Sequence, residues 1–135
     1  MNKQLLQLFI VAIILFMSNN LVAAQQSKLN TDTPISLFVE FQFEAKDMDD
    51  AIELLTNMQN KVIEYEEGCI IYDILLNDEE PHTIYLYECY ENKTALEAHN
   101  NTSYFKDIVE KQLAPLIKTQ KIIRLYPIND VGTLM

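Results

Sequence analysis

The side chains in this sequence best suited to moving a proton and holding an aromatic ring are a histidine, a glutamate and a group of tyrosines. His99 follows Ala95 and Leu96 by four and three residues, so on a short helix it shares their inward face. Imidazole titrates near neutrality and can take a proton from a phenolic hydroxyl. The same placement also suits a core histidine satisfied by one hydrogen bond. If the chain turns about Asp78–Glu80 so that residues 69–76 pair with 83–90, Tyr72 and Glu88 point to one face, and Tyr90 joins them. A carboxylate in an apolar pocket has a raised pKa and can serve as a base. Tyrosines beside it could stack on an aromatic molecule and hydrogen-bond its oxygens. The plainer alternatives are a Glu88 at a solvated rim and tyrosines that are ordinary core. In that register Cys69 and Cys89 fall nearly opposite each other, which in an oxidising compartment would allow a cross-strand disulfide, although strand-pair geometry is tight for one. His82, next to Pro81, reads as surface. Two distant histidines without a third ligand make no metal site.

The elements that must position these groups are legible as patterns. Ile35 to Phe43 alternates strictly, with Leu37, Val39, Phe41 and Phe43 on one side, and reads as a strand. Asp47, Asp49 and Asp50 then crowd the start of a helix whose apolar positions are Met48, Ala51, Ile52, Leu55, Met58, Val62 and Tyr65. Acidic residues there suit the positive end of the helix dipole, and Gly68 reads as its C-terminal stop. Cys69–Leu76 and Thr83–Tyr90 are rich in β-branched and aromatic residues, and the Asn-Asp-Glu-Glu-Pro-His between them is turn chemistry. Helical spacing returns over Lys93–His99 and from Ser103 to about Ile117. Thr94 with Glu97 has the spacing of a capping box, and Thr102 or Ser103 suits the cap of the second helix. Thr119–Tyr126 is a last strand before Pro127. The order β-α-β-β-α-α-β is a ferredoxin-like α+β arrangement with an antiparallel sheet. The hairpin strands are apolar on both sides, with Ile70, Tyr72, Ile74 and Leu76 on one and Cys69, Ile71 and Leu75 on the other. Helices cover one face of such a sheet, so the other face is expected to meet a second copy in a homodimer.

Composition narrows the classes. The 135 residues are 49% apolar and 22% charged, with four Pro and two Gly, which fits one packed domain. The net charge of −10 opposes nucleic-acid binding, which needs a basic footprint. Two cysteines cannot build a disulfide scaffold. Residues 1–24 have the order of a secretory signal peptide: Lys3, the apolar run Leu8–Met17, then Val22-Ala23-Ala24. That run is shorter than the roughly 20 residues a membrane span needs. Export to the periplasm or the medium is expected, with no membrane attachment after cleavage. Residues 25–34 read as a tether, 35–128 as the domain and 129–135 as a tail.

Glu67-Gly-Cys-Ile-Ile-Tyr72, Ile84-Tyr-Leu-Tyr-Glu-Cys-Tyr90, Lys93-Thr-Ala-Leu-Glu-Ala-His99, Tyr104-Phe105, Leu113-Ala-Pro-Leu116 and Arg124-Leu-Tyr-Pro127 follow one another in an order and spacing that resemble the antibiotic biosynthesis monooxygenase (ABM) domain family. The likeness covers about residues 35–128. It implies a dimeric α+β barrel with a pocket between each sheet and its helices. It also implies oxidation of quinols or polycyclic phenols by dioxygen without a cofactor or metal. Relatives degrade haem, isomerise ring-opened sugar products or have no known activity, and a fold does not fix a function. The sequence departs from the pattern in having no Trp, with Tyr90 where Trp is usual, and in carrying Tyr104 where His is common. The haem-degrading branch ligates iron through a His at the position of Val109 here, which argues against haem degradation. A Cys at the position of Cys69 is common in the family and requires no partner. In the implied pocket His99 or Glu88 would be the base, Tyr72 would complete the catalytic group and position the ring, and Tyr90, Tyr104 and Phe105 would hold a small aromatic substrate. A non-catalytic module that binds an aromatic metabolite in the same pocket, and a structural dimer with a filled pocket, are the competing readings.

Overall fold

The computed structural model describes residues 33–128, so the signal segment, most of the tether and the tail from residue 129 lie outside the described residues. Four strands, β1 (Ile35–Phe43), β2 (Cys69–Leu76), β3 (Thr83–Tyr90) and β4 (Ile117–Leu125), form one antiparallel sheet in the order β2-β3-β1-β4. Helices α1 (Met48–Tyr65), α2 (Lys93–Asn101) and α3 (Phe105–Leu113) complete the ferredoxin-like α+β fold. Both hairpin strands and β1 have the bounds expected from sequence.

The strict alternation of β1 becomes strict alternation of burial, with Ile35, Leu37, Val39, Phe41 and Phe43 turned to the helices. α1 answers with Met48, Ala51, Leu55, Met58 and Val62, a stripe at the three-and-four spacing of an amphipathic helix. Tyr65, expected on that stripe, is 57% exposed, because it falls one turn past the last residue the sheet can cover. Gln59 Nε2 donates to the Tyr72 carbonyl at 2.7 Å and ties α1 to the edge strand β2.

Three local expectations are corrected. The cap of α2 is Asn92, whose Oδ1 accepts from Ala95 N at 2.9 Å, and not Thr94, which already lies inside the helix. Gly68 has no left-handed backbone. It is required by close approach, since a Cβ there would lie 2.7 Å from the Ala95 Cβ. The second helical stretch is not one regular helix to Ile117. α3 has π-type hydrogen bonding, ends with Ala114 N bonding to Val109 O, and passes through a 3₁₀ turn at Ala114–Leu116. Pro115 has no N–H to continue the helix, and β4 starts at Ile117, two residues earlier than expected. Thr102 does act at the start of α3, accepting from Phe105 N at 3.2 Å through its hydroxyl.

A bulge in β2 also corrects the hairpin. Cys69 opposes Tyr90 while Ile71 opposes Cys89, so the two cysteines are not partners. The extra residue turns Cys69 toward the core, against which it packs half-buried. Cys89 follows Glu88 on β3 and therefore points to the opposite face. Both thiols are free, and the disulfide that the simple register would allow between Cys69 and Cys89 is not formed.

Candidate active site

The space between the sheet and helices α2 and α3 is a cavity of about 240 Å³. Its floor is apolar, from Leu37, Leu55 and Leu86. Asn100, Gln120 and Ile122, all exposed, edge its mouth. Besides Asn100 and Gln120 at the mouth, three buried polar side chains reach it: Tyr72, Glu88 and His99, each at most 6% exposed. The sequence expectation of one face shared by Tyr72 and Glu88 holds, since they are direct cross-strand neighbours.

His99 sits in the last turn of α2, boxed by rings. The centroids of Phe105, Tyr90 and Tyr72 lie 5.0, 5.2 and 5.8 Å from its own. Such packing leaves the imidazole one orientation. Its Nδ1 lies 2.9 and 3.0 Å from the two carboxylate oxygens of Glu66, which also accepts from the Tyr104 hydroxyl at 2.7 Å. A neutral imidazole beside a carboxylate carries its proton on the nitrogen that faces it. Nδ1–H therefore donates to Glu66, and Nε2 is the ring nitrogen left to accept a proton from the cavity. Glu66 also compensates the imidazolium that proton uptake would create.

Glu66 was not among the residues singled out from sequence, where the motif was read from its neighbour Glu67. A signal was present. Glu66 ends α1, where a negative charge opposes the helix dipole, so a carboxylate kept at that place calls for a partner. Its backbone, at φ −112° and ψ 84°, leaves the helix there.

Glu88 is buried in the cavity wall and not at a solvated rim. Its Oε2 accepts from the Tyr90 hydroxyl at 2.8 Å. Burial pushes its carboxyl above the ordinary value, and the Tyr90 bond only partly offsets this. The sign follows from that direction. The neutral form is favoured in the fold, so the group's stabilising contribution is complete below the unfolded value near 4.5 and is lost as pH rises through the folded value. A Glu88→Gln protein is thus expected to gain melting temperature over the parent as pH is raised from 4 to 7, with the gap closing at acid pH. Parallel melting curves across that range would contradict it.

The remaining expected residues divide. Burial first, and then Glu88, hold the Tyr72 phenol well above the usual range, so at neutral pH it is a donor and not a base. Phe105 lines the cavity as expected. Tyr90 is fully buried behind Glu88 and does not line it. Tyr104 lies on the far side of Glu66, also off the cavity, its phenol pushed up to about 12 by burial and by its bond to that carboxylate. These two tyrosines donate to Glu88 and Glu66 and do not touch the space a ligand would fill. The Cys69 thiol is pushed up to about 12 by burial and the nearby Glu66 and Glu88, so it stays protonated and is no nucleophile. Among the described residues no group of three or more His, Cys, Asp or Glu could hold a metal ion, and no helix is long and apolar enough to cross a membrane.

Solved structures share this architecture. A Caulobacter crescentus protein named for the antibiotic biosynthesis monooxygenases superposes with a TM-score of 0.70 at 20% identity, covering 76% of this chain and 97% of that one. A Bacteroides thetaiotaomicron protein of unknown function, for which an oxidoreductase role has been suggested, gives 0.66 at 24% identity, covering 71% and 99%. At these identities the likeness is one of fold. An uncharacterized protein of Synechocystis sp. is 35% identical over 69 residues, 51% of this chain, and the match spans about half (46%) of that relative's length. The model of the antibiotic biosynthesis monooxygenase family matches residues 34–111, more than half of the sequence and the whole span from β1 through most of α3 that carries Glu66, Glu88 and His99, and the chain belongs to that family.

Proposed function

We propose that this protein is an exported, cofactor-independent monooxygenase-like enzyme that oxidises a quinol or related phenol with dioxygen. One observation carries the reading: a buried histidine, held by a carboxylate on Nδ1, lines an apolar cavity, which leaves Nε2 for a ligand there. The substrate's phenolic proton passes to Nε2, and the phenolate gives one electron to dioxygen. The aryloxyl radical and superoxide combine at a ring carbon bearing hydrogen. The imidazolium returns its proton to the peroxide, and loss of water leaves a carbonyl. The protein needs only to hold the ring, move the proton and keep out water. Glu88, on the same wall of the cavity, hydrogen-bonds the substrate's second oxygen and helps orient the ring.

The test is dioxygen uptake with naphthoquinols and benzoquinols against a blank without protein. Uptake above autoxidation is expected, falling by about 10² to 10⁴ in His99→Ala, the range that a positioned base supplies. Uptake unchanged in that variant removes His99 from the mechanism. Absence of uptake with retained binding of the quinol would leave a non-catalytic aromatic-binding module.

The open face of the sheet supports a homodimer packed sheet to sheet. It carries Phe38 stacked on Tyr85 at 5.5 Å, together with Leu75, Ile123 and Leu125, the last three 43%, 38% and 45% exposed. Protein recovered after export is expected to start at Gln25 by intact mass and to scatter light as two chains at micromolar concentration. A monomer, or an uncleaved start, removes the corresponding part of the proposal.

A further inference from the structure

Resting on that reading of the site as one for an aromatic hydroxy compound, we propose that the cavity admits at most two fused rings and that Val109 sets this limit. The first observation is size. An apolar cavity of about 150 Å³ holds one benzene, so 240 Å³ holds two fused rings and not three. The second is the placement of polarity. Tyr72, Glu88 and His99 come from the sheet and α2, whereas α3 offers only Phe105, Val109 and Leu113. A ligand therefore binds with its oxygens toward Glu88 and His99 and its hydrocarbon end against α3.

The third observation singles out one side chain. Phe105 packs edge-on against His99 at 5.0 Å and Leu113 is fully buried in the core, so neither can change without disturbing the histidine or the fold. Val109 is half-buried between them and lines the cavity. A third ring would be turned away by this wall and would pass out between Asn100, Gln120 and Ile122, leaving its apolar surface in water.

Phenol, 2-naphthol and 2-anthrol, titrated calorimetrically under argon into the full mature protein, form the test. Binding is expected to tighten about tenfold from one ring to two, from the added apolar area, and not to tighten further with three. In Val109→Ala, 2-anthrol should gain several-fold over 2-naphthol. In Val109→Phe, 2-naphthol should lose its advantage over phenol while phenol binding is kept. Equal steps from one to two to three rings in the parent overturn the limit, and equal shifts for all three ligands in the variants overturn the role of Val109. Absence of binding by all three overturns the proposal. Because dioxygen is excluded, the expected ranking without any uptake in air would sink the oxygenase reading alone.

Discussion

Replacing Glu66 by Ala is expected to unfold the protein at a temperature lower by on the order of 15 °C and to abolish the proposed dioxygen uptake. The carboxylate holds Nδ1 of a histidine that is 2% exposed, and the Tyr104 hydroxyl besides. Truncation strands a buried donor at a cost of about 1 to 3 kcal/mol, and the half-buried Tyr104 adds less because water can reach it. For a domain of this size each kcal/mol lost lowers Tm by roughly 4 to 8 °C. Glu66→Gln separates geometry from charge. Its amide oxygen can still accept from Nδ1–H, so most of the stability should return. The negative charge that compensates the imidazolium does not return, and turnover should stay down by about 10²-fold. Exposed Glu67 is the control, and Glu67→Ala should match the parent in both measurements. A Glu66→Ala protein that melts with the parent would show that the pair contributes nothing to the fold.

The second large effect is expected at Gly68. A methyl group added there meets the Ala95 Cβ at 2.7 Å, and neither atom can rotate away because each is fixed to backbone. Strand and helix must separate, as overpacking that costs about 1 to 3 kcal/mol. Gly68 O also accepts from Glu91 N at 2.9 Å, just before the Asn92 cap of α2, so separation strains that link. Ala95 precedes His99 by one helical turn, so a displaced α2 carries the imidazole with it. Gly68→Ala should therefore lose oxidation as well as stability. Adding Ala95→Gly should restore part of both, despite the roughly 1 kcal/mol that a glycine costs inside a helix. If the double variant melts below Gly68→Ala, the contact between these two positions is not the reason for the glycine.

These two residues mark what could be read from sequence and what could not. The strands, the core stripe of α1 and the burial of His99 follow from periodicity, a local property in which each residue reports its own face. Tyr72 and Glu88 as neighbours follow from the turn, because an antiparallel register extends from its hairpin. The register failed where a bulge intervened, at Cys69, since one extra residue in an edge strand leaves no periodic trace in a short run. Gly68 was noticed for the wrong reason. Its role is a contact with a helix that starts 25 residues later, and only packing reveals such an approach. Glu66 escaped for a related cause. Its partners are 33 and 38 residues away, and sequence offers only the unease of a carboxylate at the negative end of a helix. Tyr90 and Tyr104 read from sequence as residues that hold the substrate, yet neither lines the cavity, because chemical type alone does not tell a cavity wall from the layer behind it.

The hydrogen-bond register of α3 makes the width of the cavity a property that single-residue insertions or deletions can change. Phe105, Val109 and Leu113 are spaced by four. In an α-helix that spacing drifts about 40° per step around the axis, whereas the wider π turn comes closer to keeping it on one line facing the sheet. Loss of one residue between Phe105 and Val109 would return the segment to α-helical winding and turn Val109 off the line of Phe105, whose contact with His99 stays in place. A chain one residue shorter in this segment would then accept ligands of different breadth beside the same Glu66–His99 pair. The selectivity of such a scaffold would change in discrete steps, set by chain length and not only by side-chain identity.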